Sequence, residues 1–534
     1  MQPDYDVIVV GYGPVGETCA NLLGYYGIKS LIIEKDNETF PLPRAITWDL
    51  ECKRAISYCN LKTKIKTRKI RGVDNLDTKK NSILKVKTDD FKIYDYEHKL
   101  LFMHQPQYDE ALRINAEKYK TNNIKKGFEL IELQEIDGII HCGIKNTISK
   151  QKEKVTCKYL LGCDGANSKT RKLLNVSLNS LDADETWMVV DGYTDKSFKC
   201  FKEVDAIQYC NPSRPITIIQ GVENIFRFEI GFMPGDKVEE IQKEEVFSSY
   251  LKEWIGNSRV EFMRTAVYSF HAASAEKWQV GNAFLLGDAA HQMPPFMGQG
   301  MNSGCRDAEN LLWKINGVLK GLYKEEILGT YESERKPHVD KITRAAITMG
   351  NIINAKNHFT AFLRNTFLKL QNLFRSSGKM FPAMIGTRLG NGVHKAKKIK
   401  NATIERYFFN IIQARIGTED IKTTDELLGK NFGLVINDFK GNLNLSNNTL
   451  NKLDKHNFKI INFTQKKDES NYENYIPCQK VNRDLDTYCK RYSCDGAILR
   501  PDKYVYDLIN YENSNNLEEI VIKVLENLED KISL

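Results

Sequence analysis

Twelve cysteines are scattered along the 534 residues, yet no two form Cys-x-x-Cys and none stands with a histidine at a zinc-ligating spacing. Cys489 and Cys494, the nearest approach, are too far apart for such a pair. A Cys/His metal centre is thereby excluded and no metal is expected. Isolated thiols used as small apolar residues fit a reducing compartment, so the expected location is cytoplasmic. No run of about 18 apolar residues occurs, which excludes a helical membrane span. The N-terminus lacks a basic stretch, and Asp4 and Asp6 precede the first apolar run, so no cleavable leader is expected. The net charge is +8, but the basic residues are dispersed and no Lys/Arg run lies beside aromatics. That pattern reads as a solvated surface and excludes a nucleic-acid face. What remains is an ordinary globular composition, 41% hydrophobic and 27% charged. The length suits roughly two to four domains.

The first positive signal lies in YDVIVVGYGPVGETCANLLGYYGIKSLIIEKD, Tyr5 to Asp36. Val7 to Val10 is a short β-branched run and reads as a buried parallel strand. Gly11, Gly13 and Gly16 then make GxGxxG around Tyr12, Pro14 and Val15. Thr18, Cys19, Ala20, Leu22 and Leu23 supply an apolar helix face, and a second strand, Leu31 to Ile33, ends at Glu34. Gly11 serves the tight turn, Gly13 the close approach of a pyrophosphate, and Gly16 the packing of helix on strand. The helix start offers unpaired N–H groups and its positive dipole end to the phosphates. Glu34 stands where an acid accepts the hydroxyls of an adenosine ribose. The expected dinucleotide contacts are Gly11, Gly13, Pro14, Val15, Gly16, Glu34 and Lys35. This unit alone fits NAD or FAD.

Two further motifs lie far downstream. KYLLGCDGANSKTRKLL places a strand, Tyr159 to Leu161, before the turn Cys163-Asp164-Gly165 and a basic helix start. GDAAHQMPPFMGQGMNSGCRDAENLLWKI begins after an apolar strand, Asn282 to Leu286. Asp288 stands at the carboxyl end of that strand, where open α/β sheets bind ligands. Pro294 and Pro295 forbid regular structure. Gly298, Gly300 and Gly304 permit close backbone approach, and a helix follows with Ala308, Leu311, Leu312, Ile315 and Leu319 on one face. An acid for sugar-like hydroxyls, glycines for a flat ring and a helix start for negative charge on that ring suit a long, extended dinucleotide. That favours FAD over NAD.

Together these three motifs resemble the fingerprint set of the group A flavin-dependent aromatic hydroxylases. The likeness is strongest to the branch of 3-(3-hydroxyphenyl)propionate hydroxylase and phenol hydroxylase. It extends through PRAITWDLE, HQPQYDEAL, WMVVDGY, NPSRPI, FMPGD and YESERKPH, and faintly to GAILRPDKYVYDL. The resemblance implies an α/β fold in which an FAD-binding Rossmann-like domain is interrupted by a mixed-sheet substrate domain, with a thioredoxin-like C-terminal domain. It implies non-covalent FAD, NADH or NADPH as a transient co-substrate, O2, and hydroxylation of a phenolic ring through a flavin C4a-hydroperoxide. A hydroxyphenylpropionate-like acid is one candidate substrate. Carried over by position, Arg44, Gln105, Asp164, Gly287, Asp288, Gly298, Gly300, Met301 and Asn302 would contact FAD, and Pro295 would border its ring. No second GxGxxG is present for the nicotinamide cofactor, as this group implies.

The domain reading follows. Residues 1–180 and 271–345 form the FAD domain, with part of the substrate region near 75–105, and 181–270 form the substrate sheet. Residues 346–415 are basic and helical in pattern and would bridge domains or mediate a homodimer. Residues 416–534 form the thioredoxin-like unit, whose lack of Cys-x-x-Cys excludes dithiol chemistry. Glu239 to Ile255 reads as one amphipathic helix, and GNLNLSNNTLNKLDKHN as a polar surface loop or weak structure. Asp49, beside Glu51, and His291 are candidate catalytic groups, with structural roles as the alternative. Arg214 is the candidate partner for a substrate carboxylate, with an internal salt bridge as the alternative. Two other readings share the first motif: a flavin oxidase or reductase acting on a non-aromatic substrate, and a catalytically silent FAD-binding scaffold.

Overall fold

The computed structural model describes residues 2–38, 44–59, 61, 63–87, 100–355, 357–373, 389–393, 398–399, 402–403, 412–416, 420–464, 470–511 and 516–532. Its first layer is an eight-stranded sheet. Four parallel neighbours form its centre: Ala283–Leu285, Lys152–Gly162, Tyr5–Val10 and Ser30–Glu34, with Asn122–Lys126 added parallel at the edge. The central strand is apolar at every position from Val7 to Val10 because both faces are covered. Val7 and Val9 enter one core cluster, Ile8 and Val10 another. On one face lie the helices Pro14–Tyr26 and Gly300–Leu319; Leu22, Leu23, Leu311 and Leu312 are almost fully buried in the shared core.

The second sheet has seven strands, in the order Val260–Phe270, Glu185–Thr194, Ile225–Gly231, Ile216–Gln220, Ala206–Tyr209, Gly72–Leu76, Ser82–Lys87. Its last two strands come from early in the chain. Phe226, Phe228 and Ile230 point to one face and pack with Phe247, Leu251 and Trp254 of the helix Glu244–Ile255. Arg227 and Glu229 alternate to the other face, as strand geometry requires. The single helix expected over 239–255 is two, Val238–Ile241 and Glu244–Ile255, because Lys243 between them is extended.

The long helix Thr330–Ile353 and the helix His358–Leu373 follow. Most of the helical segment expected between 374 and 411 lies outside the described residues. The pieces that are described at Lys398–Ile399 and Ala402–Thr403 are paired strands, and Gln413–Ile416 is a strand as well. Gln413–Ile416 pairs with Asp420–Thr423 and with Tyr475–Lys480, so the C-terminal sheet begins before residue 416. In that sheet Gly433–Asn437, Lys459–Phe463 and Tyr475–Lys480 run parallel, and Gly496–Leu499 and Val505–Ile509 close it antiparallel. The Asn-rich segment is better ordered than its composition suggested. Asn447–Lys455 is a helix, Ser446 caps it by accepting from the Thr449 amide at 3.4 Å, and Leu443, Leu445 and Leu453 are buried. Leucines at close spacing override the polar composition because they find a core to enter. Among the described residues no helix is long and apolar enough to cross a membrane, and no cluster of His, Cys, Asp or Glu could hold a metal ion.

Candidate active site

Strand register brings the three motifs to one edge. Val10 pairs with Gly162, and Gly162 with Leu285, so the turns after all three strands leave the sheet side by side. The glycines let them touch. Gly11 has φ +98°, and a Cβ there would press on the Cys163 carbonyl carbon at 2.7 Å. A Cβ on Gly16 would collide with the carbonyl of Gly11, and one on Gly304 with the Val15 side chain. Val15 therefore serves as the packing wedge between the first and third motifs. Arg171 links the second and third by donating to the carbonyls of Ala289 and Ala166, each at 2.9 Å. Beneath the first motif, Arg113 donates to Glu17 at 2.6 Å and to the Tyr12 carbonyl.

The space these turns enclose fits FAD. A Cβ at Gly13 would meet nothing within 4 Å, so the front of the helix Pro14–Tyr26 is open, and no side chain caps its first turn. Those amides are free to face a pyrophosphate. Glu34 accepts from the Tyr12 amide at 2.7 Å and the Asp36 amide at 3.0 Å while remaining half-exposed, and Lys35 beside it is exposed. Asp288 is solvent-accessible, yet surrounding protein desolvates it and raises its carboxyl, against the opposing pull of His291 and Arg44. Such an exposed carboxylate, just past the strand Ala283–Leu285, stands where ribityl hydroxyls would replace water. Gln105 does not reach outward. Its Oε1 accepts from the amides of Arg44 at 2.8 Å and Ala45 at 2.6 Å and so holds the Arg44 turn, leaving the Arg44 side chain exposed. Asp164 is likewise filled, by Ser168 at 2.6 Å and by the Thr170 amide and hydroxyl at 2.8 and 3.0 Å.

The proline-glycine loop is a short 3-10 turn, Pro295–Met297, ended by Gly298 with φ +60°. The Gly298 carbonyl accepts from the Thr47 hydroxyl at 3.0 Å and the Asn302 amide nitrogen at 2.9 Å. Asn302 in turn accepts from the Asp49 amide at 3.0 Å. Met301 packs beside Trp48 and Cys305, and Gly300 has only Met293 within 4 Å of a built Cβ. Phe296 meets Trp187 edge to face at 5.7 Å, which sets the loop against the second sheet.

The three charged side chains singled out for chemistry are all committed to internal partners. Asp49 caps the helix Leu50–Ser57 by accepting from the Cys52 amide at 2.9 Å, and its other oxygen pairs with Arg306. Glu51 accepts from the same arginine at 2.6 Å. His291 is buried, its Nε2 2.6 Å from Asp307 and its ring stacked on Trp278 at 4.9 Å. Arg214 makes a two-pronged pair with Asp236 at 2.7 and 2.9 Å and donates to the Gly231 carbonyl, closing the Pro234-Gly235 turn. Pro295 remains half-exposed on the loop.

Sequence reasoning passed over Asp307, which accepts from Arg335 at 2.9 Å and from the Gly287 amide at 3.1 Å as well as facing His291. His291 and Arg335 hold its carboxyl below the usual range against burial. No local pattern marked it: the helix Gly300–Leu319 buries Arg306, Asp307 and Glu309 along with its apolar stripe, and buried charges are kept only when paired. Also unmarked were Asp191, Arg227 and Arg264 on the second sheet, which face one another across neighbouring strands.

Comparison with known proteins accords with this geometry. Residues 4–346 match the FAD binding domain family, and residues 410–522 match the HcaD C-terminal domain. The chain belongs to the FAD binding domain family. A 3-(3-hydroxy-phenyl)propionate/3-hydroxycinnamic acid hydroxylase of Comamonas testosteroni is 30% identical over 376 residues, 70% of this chain and 62% of that relative. The match thus spans less than two thirds of that relative's length. A hydroxylase of the same description from Mycolicibacterium gilvum is 29% identical over 81% of this chain and 76% of its own. The flavin-dependent monooxygenase PieE, solved with FAD and substrate, shares the fold, with a TM-score of 0.79 over 98% of this chain and all of the other at 16% identity.

Proposed function

We propose that the protein is an FAD- and NAD(P)H-dependent monooxygenase that hydroxylates a phenolic aromatic ring. The observation that carries this reading is the sheet edge at Asp288. An accessible carboxylate, an uncapped helix start behind Gly13 and the Gly298 loop lie there, and Phe296 of that loop packs on Trp187 of the second sheet. When bound, reduced FAD supplies activation of O2 for transfer of one oxygen atom to carbon. The work of the chain is to hold the cofactor and to shape the space around it. The amides at Gly13 to Gly16 and the carboxylates of Glu34 and Asp288 would hold pyrophosphate, ribose and ribityl chain. Arg44, turned outward by Gln105, would reach the cofactor from above, and Pro295 to Asn302 would flank its ring. The sheet face bearing Trp187 and Arg227 would close over the ring and keep water out.

The relatives' descriptions point to a hydroxyphenylpropionate-like acid as substrate. The parallel strands and terminal antiparallel pair of the C-terminal sheet support a thioredoxin-like unit with a structural role. A homodimer and a cytoplasmic location complete the reading. The test is direct: purified protein reconstituted with FAD is assayed for NAD(P)H oxidation stimulated by phenolic acids, with the hydroxylated product identified. Stimulation with product supports the reading. FAD-loaded protein that oxidises NAD(P)H without hydroxylating any phenol overturns it.

A further inference from the structure

On the inner face of the second sheet, strand register places Asp191 directly between Arg227 and Arg264. The face is the functional one on two counts. Trp187, on the same face of the same strand, packs on Phe296 of the proline-glycine loop, and Arg227 donates to the Arg44 carbonyl at 2.7 Å. Asp191 accepts from Arg227 with both oxygens, at 2.7 and 3.1 Å. Arg264 is left with an ion contact only, its Nε 3.3 Å from Asp191. None of its three guanidinium nitrogens has a hydrogen-bond partner among the described residues, although the side chain is only 3% exposed. Its one other neighbour of note is the Tyr268 ring, 5.4 Å away, which offers a π face and no acceptor along the fork. Glu229 lies on the same face 4.0 Å from Arg227, so its contact is with that arginine; burial raises its carboxyl against the pull of Arg227.

A buried guanidinium with no hydrogen-bond acceptor is unfavourable unless something completes it. Neither Asp191 nor Glu229 hydrogen-bonds to Arg264, whose donors remain as an open planar fork. A carboxylate is the ligand that matches such a fork in charge and geometry. We propose that Arg264 binds the side-chain carboxylate of an aromatic acid substrate and selects it over neutral phenols, with Asp191 as the positioning residue that holds Arg264 and Arg227 apart. The inference rests on the hydroxylase reading and gives it a substrate class. It assigns to Arg264 the role that the sequence alone suggested for Arg214, whose fork is filled by Asp236.

The test compares 3-(3-hydroxyphenyl)propionate with its uncharged amide on the FAD-loaded enzyme, reading the perturbation of the flavin absorbance on titration and stimulated NAD(P)H oxidation. In the wild type the acid should bind roughly 10- to 100-fold more tightly than the amide, as loss of a charged hydrogen-bond pair implies. Arg264→Met should remove that preference and leave amide binding and flavin content within about two-fold. Arg264→Lys should retain part of it. Equal affinity for acid and amide in the wild type overturns the assignment without any variant and leaves the hydroxylase reading standing. Loss of both ligands in folded, FAD-loaded Arg264→Met also overturns it, since a phenolate contact or a general packing role would act on both. If neither phenol perturbs the flavin or stimulates oxidation in the wild type, this proposal fails, while the hydroxylase reading fails only if no phenolic acid is hydroxylated.

Discussion

The hydroxyl of Thr47 donates to the carbonyl of Gly298 at 3.0 Å, joining a short strand near the N-terminus to the loop that closes the candidate site. Gly298 has φ +60°, and a Cβ built there collides with the Thr47 hydroxyl. Gly298→Val should therefore strain the backbone by about 1–3 kcal/mol and push the loop out of place. NAD(P)H oxidation should persist while product per NAD(P)H falls and hydrogen peroxide rises, because a displaced loop admits water. Both products are measured in one assay. Full coupling in an FAD-loaded variant would mean that the loop does not flank the reacting ring.

Asp288→Ala should weaken FAD binding by about 1.5–3 kcal/mol for each charge-assisted hydrogen bond lost. The side chain is accessible, so the fold should tolerate its removal, and melting of the apoprotein should change little. Equilibrium titration of apoprotein with FAD decides the matter. Unchanged affinity would remove Asp288 from the cofactor site.

Asp109 supplies a pH-dependent term under the Arg44 turn. Burial pushes its carboxyl up from 3.8 to about 6, although Gln105 donates to it at 3.2 Å. The folded state thus binds more protons than the unfolded state between those values, and stability falls as pH rises through the window. Asp109→Asn keeps an acceptor for Gln105 and removes the ionisation. At pH 7 the variant should be more stable by about 1–3 kcal/mol, and the difference should vanish below pH 4. Urea unfolding at both pH values tests the sign.

Cys478, Cys489 and Cys494 are all buried in one apolar cluster, and burial pushes the Cys478 thiol up to about 12. Such thiols are poor nucleophiles. Replacing all three by alanine, which avoids burying a hydroxyl, should leave turnover within a few-fold while lowering stability. Loss of turnover in a folded, FAD-loaded variant would show that the C-terminal unit takes part in redox chemistry.

Asp307→Asn should be the most damaging of these substitutions. It removes the charge that faces both His291 and Arg335 in a fully buried site. Breaking a buried pair on one side costs about 3–5 kcal/mol. Thermal unfolding should reveal it, and a variant as stable as wild type would mean that neighbouring carbonyls meet Arg335 and His291 equally well.

By itself the sequence determined what depends on short-range geometry. A β-branched run followed by Gly11, Gly13 and Gly16 can only be a strand, a close turn and a packed helix, because no side chain fits the backbone approach at Gly11 or Gly16. The prolines and Gly298 likewise specify an irregular loop before the helix Gly300–Leu319. Tertiary structure decided the partners of the charges. Asp49 meets Arg306, His291 meets Asp307, and Arg214 rather than Arg264 meets Asp236, through folding that no local pattern encodes. Likewise, the Asn-rich segment is helical because its leucines find a core supplied by distant residues. A charge acts through whatever lies within a few ångströms of it, and in this chain those neighbours come from other strands and helices.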